Sequence, residues 1–342
     1  MRFALGLIVM SVAGSTLPAD PPAPLKFLEA LEALQARARG EIAFGEGDLD
    51  KALEEFNQAV RLDPTSAAVF NNRAICWRLK GQLAKARKDH DEAVRLGPNT
   101  PRIYASRAAT WLAAGEWDKA IKDYDEVLRL SPDDTDTYLR RGKLLCQRGE
   151  WDKALPDLNR VIKAEPANVT AMYFRAGTRR ELNRWGEAVE DYTEVIRLDP
   201  KHGDALLCRG ILYRMSGDWK ASLEDLDALV RIQPNNPEGY AARACLQATC
   251  ADAKYRDGKR AVEDAQRACE LTKWKCALHL DYLASAYAES GDFAAAIEWQ
   301  KEALEDPNYA VIAGSDAKYR LRVYEQKKPV RFGAIIPSLK KP

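Results

Sequence analysis

The sequence predicts an all-α fold, an α-solenoid in which about eight helical hairpins follow one another, and three observations support this. The hexapeptide GEWDKA occurs at residues 115–120 and again at 149–154, 34 residues later. Apolar residues recur at spacings of three, four and seven, which are helical spacings. Prolines keep the period of 34 without a slip, and such a fixed period is typical of a solenoid; they are Pro64, Pro98, Pro132, Pro166, Pro200 and Pro234.

The residues of each 34-residue repeat predict a helix, a turn and a second helix that ends before the proline. We number its positions 1–34 with the proline at position 32, so that the first repeat begins at Ala33. Position 8 is always glycine or alanine, which lets two helices approach closely. Position 15 is glycine, or Asn183 in the fifth repeat, and both residues tolerate the left-handed backbone that ends a helix. Position 20 is alanine, or Ser222 in the sixth repeat, and position 24 is often aromatic, as in Phe56 and Tyr124.

This pattern resembles the tetratricopeptide repeat (TPR) family. The resemblance covers the small residue at position 8, glycine at 15, alanine at 20, the aromatic residue at 24, a small or β-branched residue at 27 and proline at 32, over six copies. It implies a right-handed superhelix of helical hairpins. It also implies a concave groove, lined by the first helix of each repeat, that takes extended or helical peptides.

The repeats predict the organisation of the chain. The array is expected over residues 20–310, with five residues inserted in repeat seven within CADAKYRDG at residues 250–258. A closing helix is expected at 311–326. A basic tail is expected at 327–342 and is predicted to be disordered. The eight repeats are expected near residues 33–66, 67–100, 101–134, 135–168, 169–202, 203–236, 237–275 and 276–310.

The first 19 residues are typical of a secretory signal. Arg2 supplies a positive start, an apolar stretch runs over residues 4–13, and small residues precede Asp20. An exported location, periplasmic or extracellular, is therefore predicted. The alternative keeps residues 1–17 as a membrane anchor, and a cytoplasmic location is less favoured.

Charged residues at positions 7 and 23 predict a ladder of structural ion pairs. Both positions lie eight residues from the turn at 15, so they should face each other in an antiparallel hairpin. Repeat eight loses both charges together, with Leu283 and Trp299. Buried charges are normally paired, so we expect a pair within each repeat rather than a row of ligand-binding arginines. The expected pairs are Arg39–Glu55, Arg73–Asp89, Arg107–Asp123, Arg141–Asp157, Arg175–Asp191, Arg209–Asp225 and Arg243–Asp264.

The TPR resemblance, and not the spacing, nominates a peptide-binding face. Its first helices would turn positions 2, 5, 9, 12 and 13 inward. Both charge signs alternate along that face, so no single charged ligand is implied, and a mixed solvated face remains the alternative. The expected partner is another protein or a peptide. The candidate binding residues are Arg78, Lys143, Tyr173, Arg180 and Arg214.

Composition argues against other classes of function. The 52 basic and 51 acidic residues create no overall field that would favour nucleic acid. The three histidines lie far apart in the array, and no phosphate-binding loop or nucleophile elbow is present, so neither catalysis nor a metal or other cofactor is expected. Seven cysteines form no CxxC motif, and buried reduced thiols are favoured. A membrane-anchored assembly factor whose basic tail contacts anionic lipid is the alternative function.

Overall fold

The computed structural model describes residues 23–336 and Leu339, and this part of the chain is helical apart from its turns and one isolated β-bridge. The predicted all-α fold is confirmed. Two compact units meet between Thr137 and Tyr138, inside helix α7, Thr135–Gln147. The first unit contains α1 Ala23–Gly45, α2 Leu49–Leu62, α3 Ala67–Leu79, α4 Leu83–Leu96, α5 Pro101–Ala113 and α6 Trp117–Leu130. The second contains α8 Trp151–Ala164, α9 Val169–Glu181, α10 Trp185–Leu198, α11 Gly203–Ser216, α12 Trp219–Ile232, α13 Pro237–Thr249, α14 Gly258–Leu271, α15 Ala277–Ser290, α16 Phe293–Glu305 and α17 Pro307–Glu325.

The turn at position 15 reverses the chain in every hairpin except that of repeat seven. Six of its residues are glycines with φ between +73° and +90°, in the left-handed region. Asn183, which replaces glycine in the fifth repeat, has φ +58° and keeps the same turn, since asparagine tolerates this conformation. The second helix of a repeat then begins at position 17, and a preceding aspartate caps it in several repeats. Asp218, for example, accepts the backbone N–H of Ala221 at 3.1 Å.

Small residues at positions 8 and 20 let the two helices of a hairpin pack closely. A Cβ atom added at Gly40 would lie 2.7 Å from the Phe56 ring. The position-20 alanines of the first five repeats are fully buried. Ser222 departs from alanine at this position but fits, because its hydroxyl donates to the Gly210 carbonyl of the facing helix at 2.7 Å. The repeating pattern thus specifies helix-to-helix contact inside each hairpin.

The first and the closing helix both begin earlier than the repeat numbering indicated. Helix α1 begins at Ala23, ten residues before the first repeat was expected to start. The closing helix α17 begins at Pro307 rather than at residue 311. Asp306 accepts the Tyr309 N–H at 2.9 Å, and Pro307 occupies the first helical position, where its missing N–H costs nothing. This Asp-Pro sequence explains why α17 begins four residues before the predicted position.

The five-residue insertion lengthens the turn of repeat seven. Helix α13 ends at Thr249 and α14 begins at Gly258, with a short 3-10 turn at Ala253–Tyr255 between them. Arg256 ties the second half of this loop down. Its guanidinium donates to the carbonyls of Cys250 at 3.1 Å and Ala251 at 2.9 Å, and it forms an ion pair with Glu289 at 3.0 Å.

The prediction of a disordered tail is wrong for residues 327–336, which we call the C-terminal segment. The Phe332 N–H donates to the Thr249 carbonyl at 2.8 Å, and the N–H groups of Ile335 and Ile336 both donate to the Met215 carbonyl, at 2.7 and 3.1 Å. Val330 and Ile336 are buried. The basic, proline-bearing composition concealed these two apolar anchors, which hold the segment against the second unit. The remainder of the tail, apart from Leu339, and residues 1–22 lie outside the described residues.

Candidate peptide-binding groove

One pocket of the second unit brings together part of the predicted binding face. It encloses about 230 Å³, and Tyr173 and Arg180 line it together with Phe174 and Cys208. Lys143 lies at its edge, because its Nζ atom is 5.2 Å from the centre of the Phe174 ring. Two of the five candidate residues therefore line one pocket, and a third contacts its Phe174 wall.

The other two candidates lie elsewhere. Arg214 does not line this pocket and lies close enough to Tyr282 for its charge to oppose the rise in that phenol's pKa, which burial causes. Arg78 belongs to the first unit, where its Nε is buried and makes no hydrogen bond within the described part of the chain. The sequence did not separate these positions from the others, because all five share the same face of a repeat.

The pocket combines an aromatic wall with a cation. The rings of Tyr173 and His202 lie 4.9 Å apart, and Phe174 meets Tyr173 edge-on at 5.7 Å. Burial raises the pKa of the Tyr173 phenol to about 12, so its hydroxyl stays neutral and can donate a hydrogen bond at physiological pH. Arg180 donates to Glu181 at 2.7 Å and approaches the Cys208 sulfur at 3.7 Å. An aromatic surface beside a guanidinium suits a peptide that has both apolar and polar groups.

A row of position-13 residues leads along the ends of the first helices to this pocket. We call it the position-13 row; it consists of Glu181, Met215, Thr249 and Glu289, at the C-terminal ends of α9, α11, α13 and α15. The last carbonyls of a helix lack intrahelical partners and are ready acceptors. The C-terminal segment uses them, since its backbone N–H groups donate to Met215 and Thr249. The period did not indicate this contact because the segment lies outside the repeats.

Every pair of the expected ladder forms an ion pair in the structure. The N–O distances are 2.7 or 2.8 Å, and six of the seven arginines donate two hydrogen bonds to the carboxylate of their partner. The six aspartates are buried, whereas the Arg39–Glu55 pair at the start of the array is more exposed. In repeat eight, where the pair is replaced by Leu283 and Trp299, Leu283 is fully buried and Trp299 stacks on Trp274.

The ladder arginines also reach the preceding repeat, a contact that sequence reasoning missed. In addition to the two hydrogen bonds within the repeat, the guanidinium donates a third one to the side-chain oxygen at position 25 of the preceding repeat. The N–O distances are 2.6–3.0 Å, so each of these arginines links two repeats. Position 25 is polar throughout the array, and this regularity could have revealed the contact. The partners are Arg73–Asn57, Arg107–Asp91, Arg175–Asn159, Arg209–Thr193 and Arg243–Asp227.

A second pocket, of about 350 Å³, lies within the first unit. Arg37, Glu41 and Arg102 line it, together with Phe44 and Asn72. Glu41 accepts hydrogen bonds from Arg37 at 2.8 Å and from Asn72 at 3.0 Å, so its polar wall is already internally paired. The pocket of the second unit has more aromatic lining residues, among them Tyr173 and Phe174.

The described residues show no metal site and no membrane-crossing helix. No group of three or more His, Cys, Asp or Glu side chains among them could hold a metal ion. None of their helices combines the length and apolar character that crossing a bilayer needs. All seven cysteines are free thiols, five of them buried.

Comparison with protein families places the repeats in one group. Three models described as tetratricopeptide repeat match the chain, the first at residues 37–101, 81–135 and 178–237, the second at 112–176 and the third at 276–306. Together they span more than half of the chain. The comparison with curated proteins finds no match.

Solved TPR structures share the fold at low sequence identity. The C-terminal part of a TPR protein from Cytophaga hutchinsonii has a TM-score of 0.58 and 16% identity, covering 71% of this chain and 98% of its own. A TPR protein from Parabacteroides merdae has a TM-score of 0.52 and 20% identity, covering 75% and 99%. YrrB, a TPR protein, has a TM-score of 0.51 and 22% identity, covering 55% and 97%. With the family models and the observed hairpins, these similarities show that the chain belongs to the tetratricopeptide repeat family.

Proposed function

We propose that this protein is a non-enzymatic scaffold that binds a segment of another protein in the pocket lined by Tyr173, Phe174 and Arg180. The observation that supports this most directly is the pocket itself, an open aromatic wall beside a guanidinium at the end of the position-13 row. The ladder arginines are bound to carboxylates and therefore do not offer a competing ligand-binding row. The similar structure of YrrB is described as a TPR protein with an unusual peptide-binding site.

Peptide selection on the full-length protein tests this function. We expect the wild-type chain to enrich a family of peptides, and the Arg180→Ala variant to bind them at least about 10-fold more weakly, because a charge-assisted contact is worth about 1.5–3 kcal/mol. Arg184→Ala is the matched control, since Arg184 also pairs with a neighbouring glutamate but does not line the pocket. Equal losses in both variants, or no enriched peptide, would overturn the proposed site.

The non-enzymatic part of the proposal is supported by the side chains present. The histidines occupy structural positions: His90 is fully buried, and the ring of His202 accepts the Ala205 N–H at 3.2 Å. His279 is also buried and lies 3.3 Å from Glu238. No pair of these rings lines the candidate pocket.

We further propose that the protein is exported, on the basis of the signal-like residues 1–19. In the alternative, residues 1–17 stay as an anchor and the basic tail contacts anionic lipid. The ion pair between Arg331 and Glu289 argues against a lipid contact by Arg331, because the charge of Arg331 is already paired. N-terminal sequencing of the mature protein separates the two: a start near Asp20 supports the soluble exported form, and an intact Met1 supports the anchor.

A further inference from the structure

We propose that the groove along the position-13 row binds extended peptides carrying an arginine five residues before a buried aliphatic residue, and that residues 330–336 occupy it as a built-in ligand of this pattern. This inference rests on the proposed peptide-binding function and names the chemistry of its ligand.

The C-terminal segment follows the position-13 row through three successive repeats. Arg331 forms an ion pair with Glu289 of repeat eight. The Phe332 N–H donates to the Thr249 carbonyl of repeat seven, and the N–H groups of Ile335 and Ile336 donate to the Met215 carbonyl of repeat six. The segment therefore crosses one repeat after another as a bound peptide would, with backbone donors meeting the free carbonyls at helix ends.

Specificity comes from two side chains at opposite ends of this path. The Arg331 guanidinium meets Glu289 and also donates to the Ala248 carbonyl at 3.3 Å, where the negative ends of helices favour a cation. Five residues later, Ile336 is 5% exposed and packs in a cluster with Tyr192 and Leu212. Between them Ile335 is 67% exposed, so its side chain contributes little. A competing peptide therefore needs the arginine and the aliphatic side chain, whereas the residues between these two can vary.

The end of the segment lies at the candidate pocket. Ile336 and Leu339 belong to the same apolar cluster as Tyr173 and Cys208, which line that pocket. The position-13 row continues there with Glu181, also a lining residue. A partner peptide that displaces the segment would therefore extend from the row into the pocket.

The attachment is one that a partner can displace. The segment contains no helix or strand and pairs with the array through a single isolated bridge, Phe332 with Cys250. It is tethered to its groove, so it competes at an effective concentration on the order of millimolar, as short linkers provide. The apparent affinity for a partner falls by the fraction of molecules whose groove is closed.

Adjacent isoleucines provide a matched test in the full-length protein. The probe is a fluorescein-labelled peptide with the sequence of residues 328–340, and its binding is followed by fluorescence polarisation. We expect Ile336→Asp to release the segment and to raise the affinity for the added peptide at least about 10-fold over wild type. Ile335→Asp places the same charge on the exposed neighbour, and its affinity should stay at the wild-type level.

A second measurement keeps the result independent of any folding defect. Hydrogen exchange of the Phe332 amide, a residue that is the same in all three proteins, should be slow in the wild type and in Ile335→Asp and fast in Ile336→Asp, while circular dichroism stays the same in all three. Arg331→Glu, which places a carboxylate against Glu289, should also speed exchange and raise the affinity for the added peptide.

Three results would overturn the inference. Equal peptide affinity in the wild type and Ile336→Asp would mean that the segment does not occupy the ligand's site. Peptide binding to neither chain would make the segment a fixed cover of the array. A wild-type dimer that Ile336→Asp converts to a monomer would mean that the segment reaches a second copy. In each case the proposed function survives if the selected peptides still bind in an Arg180-dependent manner.

Discussion

His90 shows how a single buried side chain makes stability depend on pH. It occupies position 24 of the second repeat, where other repeats have Phe56, Tyr124 or Leu158. Its ring is fully buried, and neither nitrogen has a hydrogen-bond partner within the described residues. Burial lowers its pKa to about 3, helped by the charges of Arg107 and Arg78. The folded state therefore keeps a neutral imidazole where the unfolded chain takes up a proton.

We expect His90→Leu to remove part of the acid sensitivity of this protein. The unfolded state binds the extra proton below about pH 6.5, so the contribution of His90 to stability is lost as the pH falls from there towards 3, at about 1.4 kcal/mol per unit. Between pH 7 and pH 5 the wild type should lose about 2 kcal/mol more than the variant, measured by urea unfolding. Leucine suits the site because Leu158 and Leu226 fill it in other repeats. Parallel pH profiles for the two proteins would contradict this.

At the scale of the element, the arginine ladder holds a hairpin together and also links it to its neighbour. Arg209 makes two hydrogen bonds to Asp225 on the facing helix, at 2.8 and 2.7 Å, and one to Thr193 of the preceding repeat at 3.0 Å. Burial raises the pKa of the Asp225 carboxyl, although Arg209 acts in the opposite direction. For the carboxylate, loss of water thus outweighs attraction to the partner, whereas the contact with Asp225 raises the pKa of Arg209 despite its burial. An apolar pair, as in repeat eight, should then substitute for the ionic one.

A double-mutant cycle on Arg209 and Asp225 measures this balance. Arg209→Met alone leaves a carboxylate that is 7% exposed without its cation, which typically costs about 3–5 kcal/mol. Adding Asp225→Leu should recover at least ~2 kcal/mol of that loss, because no unpaired charge remains. The free energy of unfolding of the four proteins gives the coupling, and strictly additive losses would show that the residues are not partners. Arg39→Met is the control: its pair with Glu55 is more exposed and should contribute about 0–1 kcal/mol.

At the scale of the whole molecule, the sequence predicts the contacts within one repeat, which recur with the period. It does not predict contacts between repeats or contacts of segments outside the array. The hairpins and the pairs at positions 7 and 23 follow because both positions are the same distance from one turn. The link from Arg209 to Thr193 depends on how successive repeats stack, which spacing within a repeat does not express. Only two of the candidate binding residues, Tyr173 and Arg180, line one pocket. The repeat pattern predicts which face of a helix is involved, but it does not predict where along that face a pocket is open.

The C-terminal segment was missed for a related reason. Its contacts join residues far apart in the chain, and its position depends on a few apolar side chains, chiefly Val330 and Ile336, within a basic, proline-containing stretch. Composition averaged over residues 327–342 predicts disorder, whereas burial of two side chains and three backbone hydrogen bonds oppose it. The repeating pattern does not extend to these residues and so does not indicate their contacts.

Two glycine turns give a further test of where this segment lies. Gly217 and Gly149 occupy position 15 of repeats six and four, with φ +80° and +73°, so alanine at either should cost about 1–2 kcal/mol of stability. A Cβ atom at Gly217 would also meet the Cβ of Ala334 at 3.3 Å, whereas at Gly149 the nearest atoms lie 3.9 Å away, on Trp151 of the same turn.

We therefore expect Gly217→Ala and Gly149→Ala to lower the urea midpoint by similar amounts but to differ in the C-terminal segment. Because Ala334 is exposed and lies outside regular secondary structure, the segment rather than the turn should move. Hydrogen exchange at the Ile335 and Ile336 amides should then be several-fold faster in Gly217→Ala and unchanged in Gly149→Ala. Unchanged exchange in both variants would mean that the segment does not rest on the turn of repeat six. Faster exchange in both would trace the effect to lost stability of the array, since strain in the turn is common to the two variants.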